Sequence, residues 1–189
     1  HRHVVTDVLV VGAGPAGLEA ALALSGRGLK IILSEMDPVP GGTLNWEKAT
    51  IDGAAARTWA AAAMDRLAAD PDVTMLASTT VGAAYENNIF SLVEAIQDAR
   101  GVQAERHWRV HARYVVLATG MTERPLLFAN NDRPGVMLAT ATRRLIAEFG
   151  AAPCRHLLVY ANNDSGYLTA LEARRAGVDV VAIVDTRPQ

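Results

Sequence analysis

The apolar run Asp7-Val8-Leu9-Val10-Val11 leads straight into Gly12-Ala13-Gly14-Pro15-Ala16-Gly17, and no other stretch limits the fold so tightly. Such a run, followed by G-x-G-x-x-G and a helix-forming segment, predicts a buried parallel strand, a tight turn and a helix. Gly12 permits the turn, Gly14 lets a pyrophosphate approach the backbone, and Gly17 lets the helix pack closely on its strand. Pro15 suits the first helical turn, where a missing N–H costs nothing. Ala16 belongs to the same turn, whose free N–H groups and helix dipole attract phosphate. The helix is expected to run to about Arg27, with Leu18, Ala21, Leu22 and Ser25 on one face, and Gly26 and Gly28 ending it. A second strand, Lys30–Ser34, ends at Glu35, where an acidic side chain can accept both ribose hydroxyls of an adenosine. Glu35 would repel a 2′-phosphate and no arginine follows it closely, which disfavours NADP against NAD or FAD.

The 189 residues, half of them hydrophobic, suffice for one good core, or for one domain and part of another. A net charge of −2 without a basic stripe argues against nucleic acid as a partner. No apolar run of about 18 residues is present, so no membrane-spanning helix is expected. The chain begins at His1, so a fragment of a longer chain is expected; a cytoplasmic location is also expected. Cys154, the single cysteine, excludes an internal disulfide, a C-x-x-C pair and a cysteine-held cluster within this segment. It reads as a small, partly buried residue. His107 and His111 share a strand face about 13 Å apart, too far to hold one metal together. No metal site is expected.

Past Glu35, the loop Asp37–Leu44 contains Gly41-Gly42, which reads equally as a source of further backbone donors or as a plain surface loop. Asp52 is a candidate cap for a core helix over Gly53–Ala69, with Trp59, Ala60, Ala63, Met64 and Leu67 on one side. Val73–Leu76, Thr79–Glu86, Ile89–Gln97 and Ala104–Ala112 read as strands, the last three as an antiparallel meander. Asn87-Asn88 and Ala99-Arg100-Gly101 are its turns. Trp108, Val110 and Ala112 should face inward, alternating with Arg109, His111 and Arg113. A separate apolar strand, Tyr114–Ala118, runs into Thr119-Gly120, where small residues permit close backbone approach to a cofactor.

From Arg124 a proline- and asparagine-rich passage leads to a helix over Ala139–Phe149. A second βαβ follows: strand His156–Tyr160, helix Ser165–Ala176, strand Val178–Val184. Its turn, Ala161-Asn162-Asn163-Asp164-Ser165-Gly166, lacks the glycines. Asparagine side chains crowd the pyrophosphate path and Asp164 adds like charge, so this turn is either degenerate or adapted to something else. The whole reads as an α/β, Rossmann-like FAD/NAD(P)-binding fold. It has a three-layer parallel sheet, an antiparallel β-meander and a partial second βαβ. Residues 1–122 are expected to form the first dinucleotide-binding domain, and 123–189 the connecting loop and partial second unit.

Together, Asp7–Gly17, Trp108–Gly120, Glu123–Leu126, Ala129–Leu138 and Asn162–Ser165 resemble the α-subunit family of heterotetrameric sarcosine oxidase. That family includes α subunits of amino-acid and opine oxidases or dehydrogenases and a cyanide-forming glycine oxidase. The resemblance implies a nucleotide-binding segment of a multisubunit oxidoreductase, carrying NAD (alternatively FAD). A flavin-bearing β-type partner subunit would oxidise a secondary amine or amino acid. It also implies that Gly12, Gly14 and Gly17 face the pyrophosphate, that Glu35 faces the ribose, and that Thr119 and Gly120 line the same cleft. Pro15 and Ala16 of the turn and Gly42 of the following loop are cofactor-binding candidates from the residues themselves. No catalytic residue is assigned. Arg124, Asp132 and Arg133 read either as a salt-bridged or capped loop or, within Asn130–Pro134, as a contact to cofactor or partner. The competing expectation is a self-contained FAD-dependent NAD(P)H oxidoreductase without a redox dithiol.

Overall fold

A computed structural model describes residues 1–97 and 100–188, so Ala99 of the expected Ala99-Arg100-Gly101 turn lies outside the described residues. The chain divides into two compact units, His1–Gly120 and Met121–Gln189. The first runs β1 (Arg2–Val11), α1 (Pro15–Leu24), β2 (Ile31–Ser34), β3 (Thr50–Ile51), β4 (Ala54–Ala55) and α2 (Ala56–Ala68), then β5 (Val73–Leu76), β6 (Thr79–Tyr85), β7 (Ile89–Gln97) and β8 (Gln103–Leu117). Six of these strands form one sheet in the order β5-β2-β1-β8-β7-β6. The first four neighbours are parallel, and β7 and β6 add the antiparallel meander.

The pleat of β1 explains the layers. Val8 and Val10 turn toward the helices, packing in one cluster with Leu18, Ala21, Ala60, Ala63 and Leu67. Leu9 turns the other way, into a cluster with Leu92, Trp108, Val110 and Ala112 of the meander strands. Leu9, Leu18, Leu33 and Leu67 are each under 2 % exposed. Burying each contributes about 2 kcal/mol, and a one-residue slip of β1 would forfeit it on both faces. Trp108, Val110 and Ala112 are buried while Arg109, His111 and Arg113 are exposed, as the alternation predicts. Asn87 and Asn88 take positive φ values of 60° and 54°, as expected of that turn.

Three expectations need correction. Helix α1 stops at Leu24 rather than near Arg27, because Asp70 captures the chain just beyond it. Its Oδ2 accepts the Ser25 hydroxyl at 2.6 Å and the Gly26 N–H at 2.8 Å. Asp52 does not cap α2; with φ 49° it sits beside Gly53 (φ 79°) in the two-residue turn joining β3 and β4. Ala104–Ala112 and Tyr114–Ala118 are one strand, β8, which pairs with β7 through His111 and with β1 through Leu117.

The second unit holds α3 (Ala139–Phe149), β9 (His156–Ala161), α4 (Ser165–Arg175) and β10 (Asp179–Asp185), with β10 parallel to β9. Ala170 of α4 packs on Val159 and Ala161 of β9. Helix α3 has no local side-chain cap; the Glu123 carboxylate accepts the N–H groups of Ala139 (3.0 Å) and Thr140 (2.8 Å) instead. Arg143 on α3 meets Glu172 on α4 through Nε at 2.9 Å and Nη2 at 3.1 Å.

Candidate nucleotide-binding site

The glycine loop is built by the strands around it. The Gly12 N–H donates to the Ser34 carbonyl at 2.8 Å, and the Ala118 N–H donates to the Val11 carbonyl at 2.8 Å, so the loop is pinned from both neighbouring strands. Gly12 has φ 95°, and a Cβ there would be driven into the Ala118 carbonyl and reach 3.4 Å from the Thr119 Cα. Only glycine fits. A Cβ on Gly17 would strike the Gly12 carbonyl oxygen and stand 3.4 Å from the Ala118 Cβ. Pro15 opens α1, with Gly14 as its extended N-cap at φ −72°. A Cβ at Gly14 would meet nothing within 4 Å, so its side of the loop is open.

Backbone donors are left over here. The Leu18 N–H makes the first helical bond, to the Gly14 carbonyl at 2.9 Å. Among the described residues, the N–H groups of Gly14, Ala16 and Gly17 donate to no acceptor. Three unspent donors at the positive end of a helix dipole form a seat for an anion, and the open face at Gly14 lets a diphosphate reach them.

Glu35 stands at the end of β2, its N–H donating to Leu76 (2.8 Å) and its carbonyl accepting from Thr79 (2.7 Å). It is 8 % exposed. Sequence reasoning gave its carboxylate to a ribose; the structure gives it another task as well. Oε2 accepts the buried Ala13 N–H at 2.7 Å, and Oε1 accepts the Asp37 N–H at 3.0 Å. Each carboxylate oxygen retains a second lone pair, so the capacity to accept hydroxyls persists. Glu35 thus fixes the loop that it would help to fill.

Gly42 (φ 54°) lies against the same loop, where a Cβ would come 3.1 Å from the Gly14 Cα. The neighbouring Gly41 spends its N–H on the Ala13 carbonyl at 2.8 Å. Gly41-Gly42 thus packs onto the glycine turn, with the Gly41 donor spent on it. Thr119 lies beside the loop, its Cα 3.4 Å from where a Gly12 Cβ would stand, and Gly120 (φ 73°) follows, exposed. Gly12, Gly14, Gly17, Glu35, Gly42 and Thr119 come together around one turn, with Pro15 and Ala16 opening its helix and Gly120 at its edge. Sequence reasoning missed the carbonyl of Ala118 as the wall against Gly12, although a small residue before Thr119-Gly120 was the visible signal.

The remaining candidates are quieter. Arg124, Asp132 and Arg133 form no salt bridge among the described residues. Their passage is held by turns, with the Arg133 N–H on the Asn130 carbonyl at 3.2 Å, and by the Asn131 amide on Leu126 at 3.3 Å. Cys154 is half-buried and free. Among the described residues no group of three His, Cys, Asp or Glu is arranged to hold a metal. No described helix is long and apolar enough to cross a membrane.

A parallel sheet carrying a glycine turn with unspent donors, a meander and a second βαβ define a dinucleotide-binding fold of the oxidoreductase kind. The chain belongs to the pyridine nucleotide-disulphide oxidoreductase family, whose sequence model matches residues 6–189. It is 46 % identical over 187 residues to the alpha subunit of sarcosine oxidase from Rhizobium meliloti (strain 1021), covering 96 % of this chain and 19 % of that protein. Against the sarcosine oxidase alpha subunit of Corynebacterium sp. (strain U-96) the identity is 42 % over 194 residues, covering 99 % of this chain and 20 % of that one. An opine oxidase subunit from Rhizobium meliloti (strain 1021) is 27 % identical, with 95 % of this chain and 38 % of that protein covered. The chain thus spans about a fifth of the length of the sarcosine oxidase subunits it matches. Among solved structures, L-proline dehydrogenase from P. horikoshii superposes with a TM-score of 0.76 at 27 % identity, covering 97 % of this chain and 36 % of that one. A thioredoxin reductase of Lactococcus lactis shares the fold at a TM-score of 0.65 and 18 % identity, with 97 % and 57 % covered.

Proposed function

We propose that this chain is the nucleotide-binding part of the α subunit of a sarcosine-oxidase-like, multisubunit oxidoreductase. It holds NAD in the first unit and contributes no acid, base or nucleophile to the oxidation. The observation that carries the nucleotide reading is the set of unspent N–H groups at Gly14, Ala16 and Gly17, behind a turn only glycine can make at Gly12. The amide donors neutralise a diphosphate, Pro15 and Gly17 hold the helix end in place, and the Glu35 carboxylate orients the ribose by accepting its hydroxyls. Gly42, Thr119 and Gly120 line the same cleft with little side-chain bulk, admitting the nucleotide against the backbone. An acidic Glu35 supports NAD over NADP through charge repulsion of a 2′-phosphate. When bound, a nicotinamide or flavin dinucleotide supplies hydride-transfer chemistry.

Similarity to sarcosine and opine oxidase subunits over nearly the whole chain supports oxidation of a secondary amine or amino acid by the complex. This reading places the amine-oxidising flavin in a partner of the β type. A second reading, a self-contained FAD-dependent NAD(P)H oxidoreductase, is favoured by the family match across both βαβ units. The lone Cys154 counts against a dithiol form of it, since two cysteines are needed for an internal disulfide couple. The test is to denature the purified protein and identify the released nucleotide by chromatography and absorbance. NAD without flavin is the expected result; released FAD would replace this reading with the second.

A further inference from the structure

The second βαβ unit repeats the first position by position. β1 pairs Val11 with Ser34, which sets Glu35 level with Gly12; β9 and β10 pair Ala161 with Asp185. Gly166 then corresponds to Gly17, Asn163 to Gly14, Asp164 to Pro15 and Ser165 to Ala16. Gly166 keeps the close-packing role, since a Cβ there would strike Ala161. Asp185 lies one residue farther from Gly166 than Glu35 does from Gly17, and the bulge between Val180 and Ala182 absorbs the extra residue.

The donors differ. Asn163 Oδ1 accepts both the Ser165 N–H at 2.9 Å and the Ser165 hydroxyl at 2.6 Å. The Gly166 N–H donates to the Asn163 carbonyl at 3.3 Å, and those of Tyr167 and Leu168 donate to the Asp164 carbonyl at 3.1 and 3.2 Å. The first turn of α4 therefore has no donor to spare, and of the counterparts of Gly14, Ala16 and Gly17 only the Asn163 N–H stays unspent among the described residues. The acid at the strand end is engaged too: Asp185 binds the Arg187 guanidinium at 2.7 Å and the Tyr167 hydroxyl at 3.0 Å. Arg187 also reaches Asp164 at 2.8 Å, tying the strand end to the start of α4.

We propose that unit 2 is a nucleotide cradle closed by its own side chains, Asn163 filling the phosphate seat and Arg187 the ribose seat, so that it takes no dinucleotide. Asp164, at the position of Pro15, adds a carboxylate to the turn and is held by Arg187. The Arg187 guanidinium holds the Asp185 carboxyl far below the usual carboxylate range, so the clamp stays charged throughout the physiological range. The inference stands apart from the proposed function, since none of these residues belongs to the glycine loop of unit 1.

The test compares the wild-type protein with an Asn163→Gly/Asp164→Pro variant, titrated with NAD by calorimetry and mapped by amide hydrogen exchange. Asp164 already has φ −68°, which suits proline. In the wild type, NAD should leave exchange at Ser165–Leu168 unchanged. In the variant it should slow those amides by about tenfold or more, and the stoichiometry should rise by one equivalent. NAD-dependent protection of Ser165–Leu168 in the wild type overturns the proposal, and so does a folded variant whose stoichiometry does not rise. A variant that fails to fold leaves the wild-type exchange to decide. Failure of the proposed function shows elsewhere, as unchanged exchange at Gly14–Leu18.

Discussion

In the first βαβ unit the N–H groups of Gly14, Ala16 and Gly17 stay unspent; in the second, the counterpart N–H groups of Ser165 and Gly166 are taken by the side chain and the carbonyl of Asn163. The first relies on residues with little or no side chain (Gly12, Gly14, Gly17), held by neighbouring strands and by Glu35 on Ala13. The second relies on Asn163, which accepts from Ser165, and on Arg187, which ties Asp164 to Asp185. One backbone plan thus gives an open seat or a filled one, depending on whether the turn's partners come from outside or inside the turn. Openness carries a cost, because unspent donors at a helix end are satisfied only by solvent or ligand.

The sharpest way to break this comparison is to add one methyl to each helix. Gly17→Ala meets a backbone oxygen that cannot be removed, and a loss of about 3 kcal/mol in thermal or denaturant unfolding is expected. Gly166→Ala meets the Ala161 methyl instead, and should cost about 2 kcal/mol, largely recovered by adding Ala161→Gly. Without that recovery the two close approaches are not of different kinds. Next, Arg143→Ala removes the partner of Glu172 between α3 and α4, whose side chains are 11 % and 19 % exposed. About 2 kcal/mol of destabilisation is expected, with wild-type stability counting against a structural role for the pair.

Glu35→Ala should cost about 2 kcal/mol by leaving the Ala13 N–H buried without a partner. It should also weaken nucleotide binding, and unchanged stability would mean the loop does not need its acid. Gly14→Ala sharpens the contrast differently. With φ −72° and open space around it, the fold should change by under about 0.5 kcal/mol. Nucleotide affinity should nevertheless fall roughly tenfold, because the methyl stands where the diphosphate lies. Equal affinity would move the seat away from Gly14.

The smallest effect is in acid. Hydrogen bonds from the Ser25 hydroxyl and then the Asp72 and Gly26 N–H groups lower the Asp70 pKa in unit 1, and Arg187 lowers that of Asp185 in unit 2. A depressed folded value means that the stabilisation is complete above the ordinary carboxylate range. It is lost only as pH falls through the lowered value. Carboxyl chemical shifts followed downward from pH 7 should show both groups titrating late. Arg187→Ala should return Asp185 to the ordinary range and leave Asp70 alone; a shift in both would couple the two units unexpectedly.

The first strand, turn and helix were legible because apolar run, glycine spacing and acidic strand end are all local signals. The meander was legible through the alternation of Trp108, Val110 and Ala112. What escaped reading was set by distant partners. Asp70 ends α1 from far along the chain, and Glu123 caps α3 across the intervening loop. β8 read as two strands because its alternation stops where its partnership with β7 ends and only β1 remains beside it. At the site, the glycines and Glu35 were visible as residue types. That Glu35 holds Ala13, and that Gly41 spends its donor on the same residue, depends on loop conformation and has no sequence signature. Nor did the asparagine turn reveal that Asn163 folds back onto Ser165.

The pairing of Arg2 with Trp108 and of Val11 with Leu117 joins β1 to a strand translated roughly a hundred residues later. During synthesis β1 and α1 emerge before β8, yet the wall against Gly12 does not exist until Ala118 has left the ribosome. Long-range strand pairing of this kind is slow to form, and it makes assembly of the cradle a late event. Any nucleotide that binds there can therefore stabilise only a nearly finished unit, never a nascent one, and chains broken before Ala118 are beyond rescue by ligand.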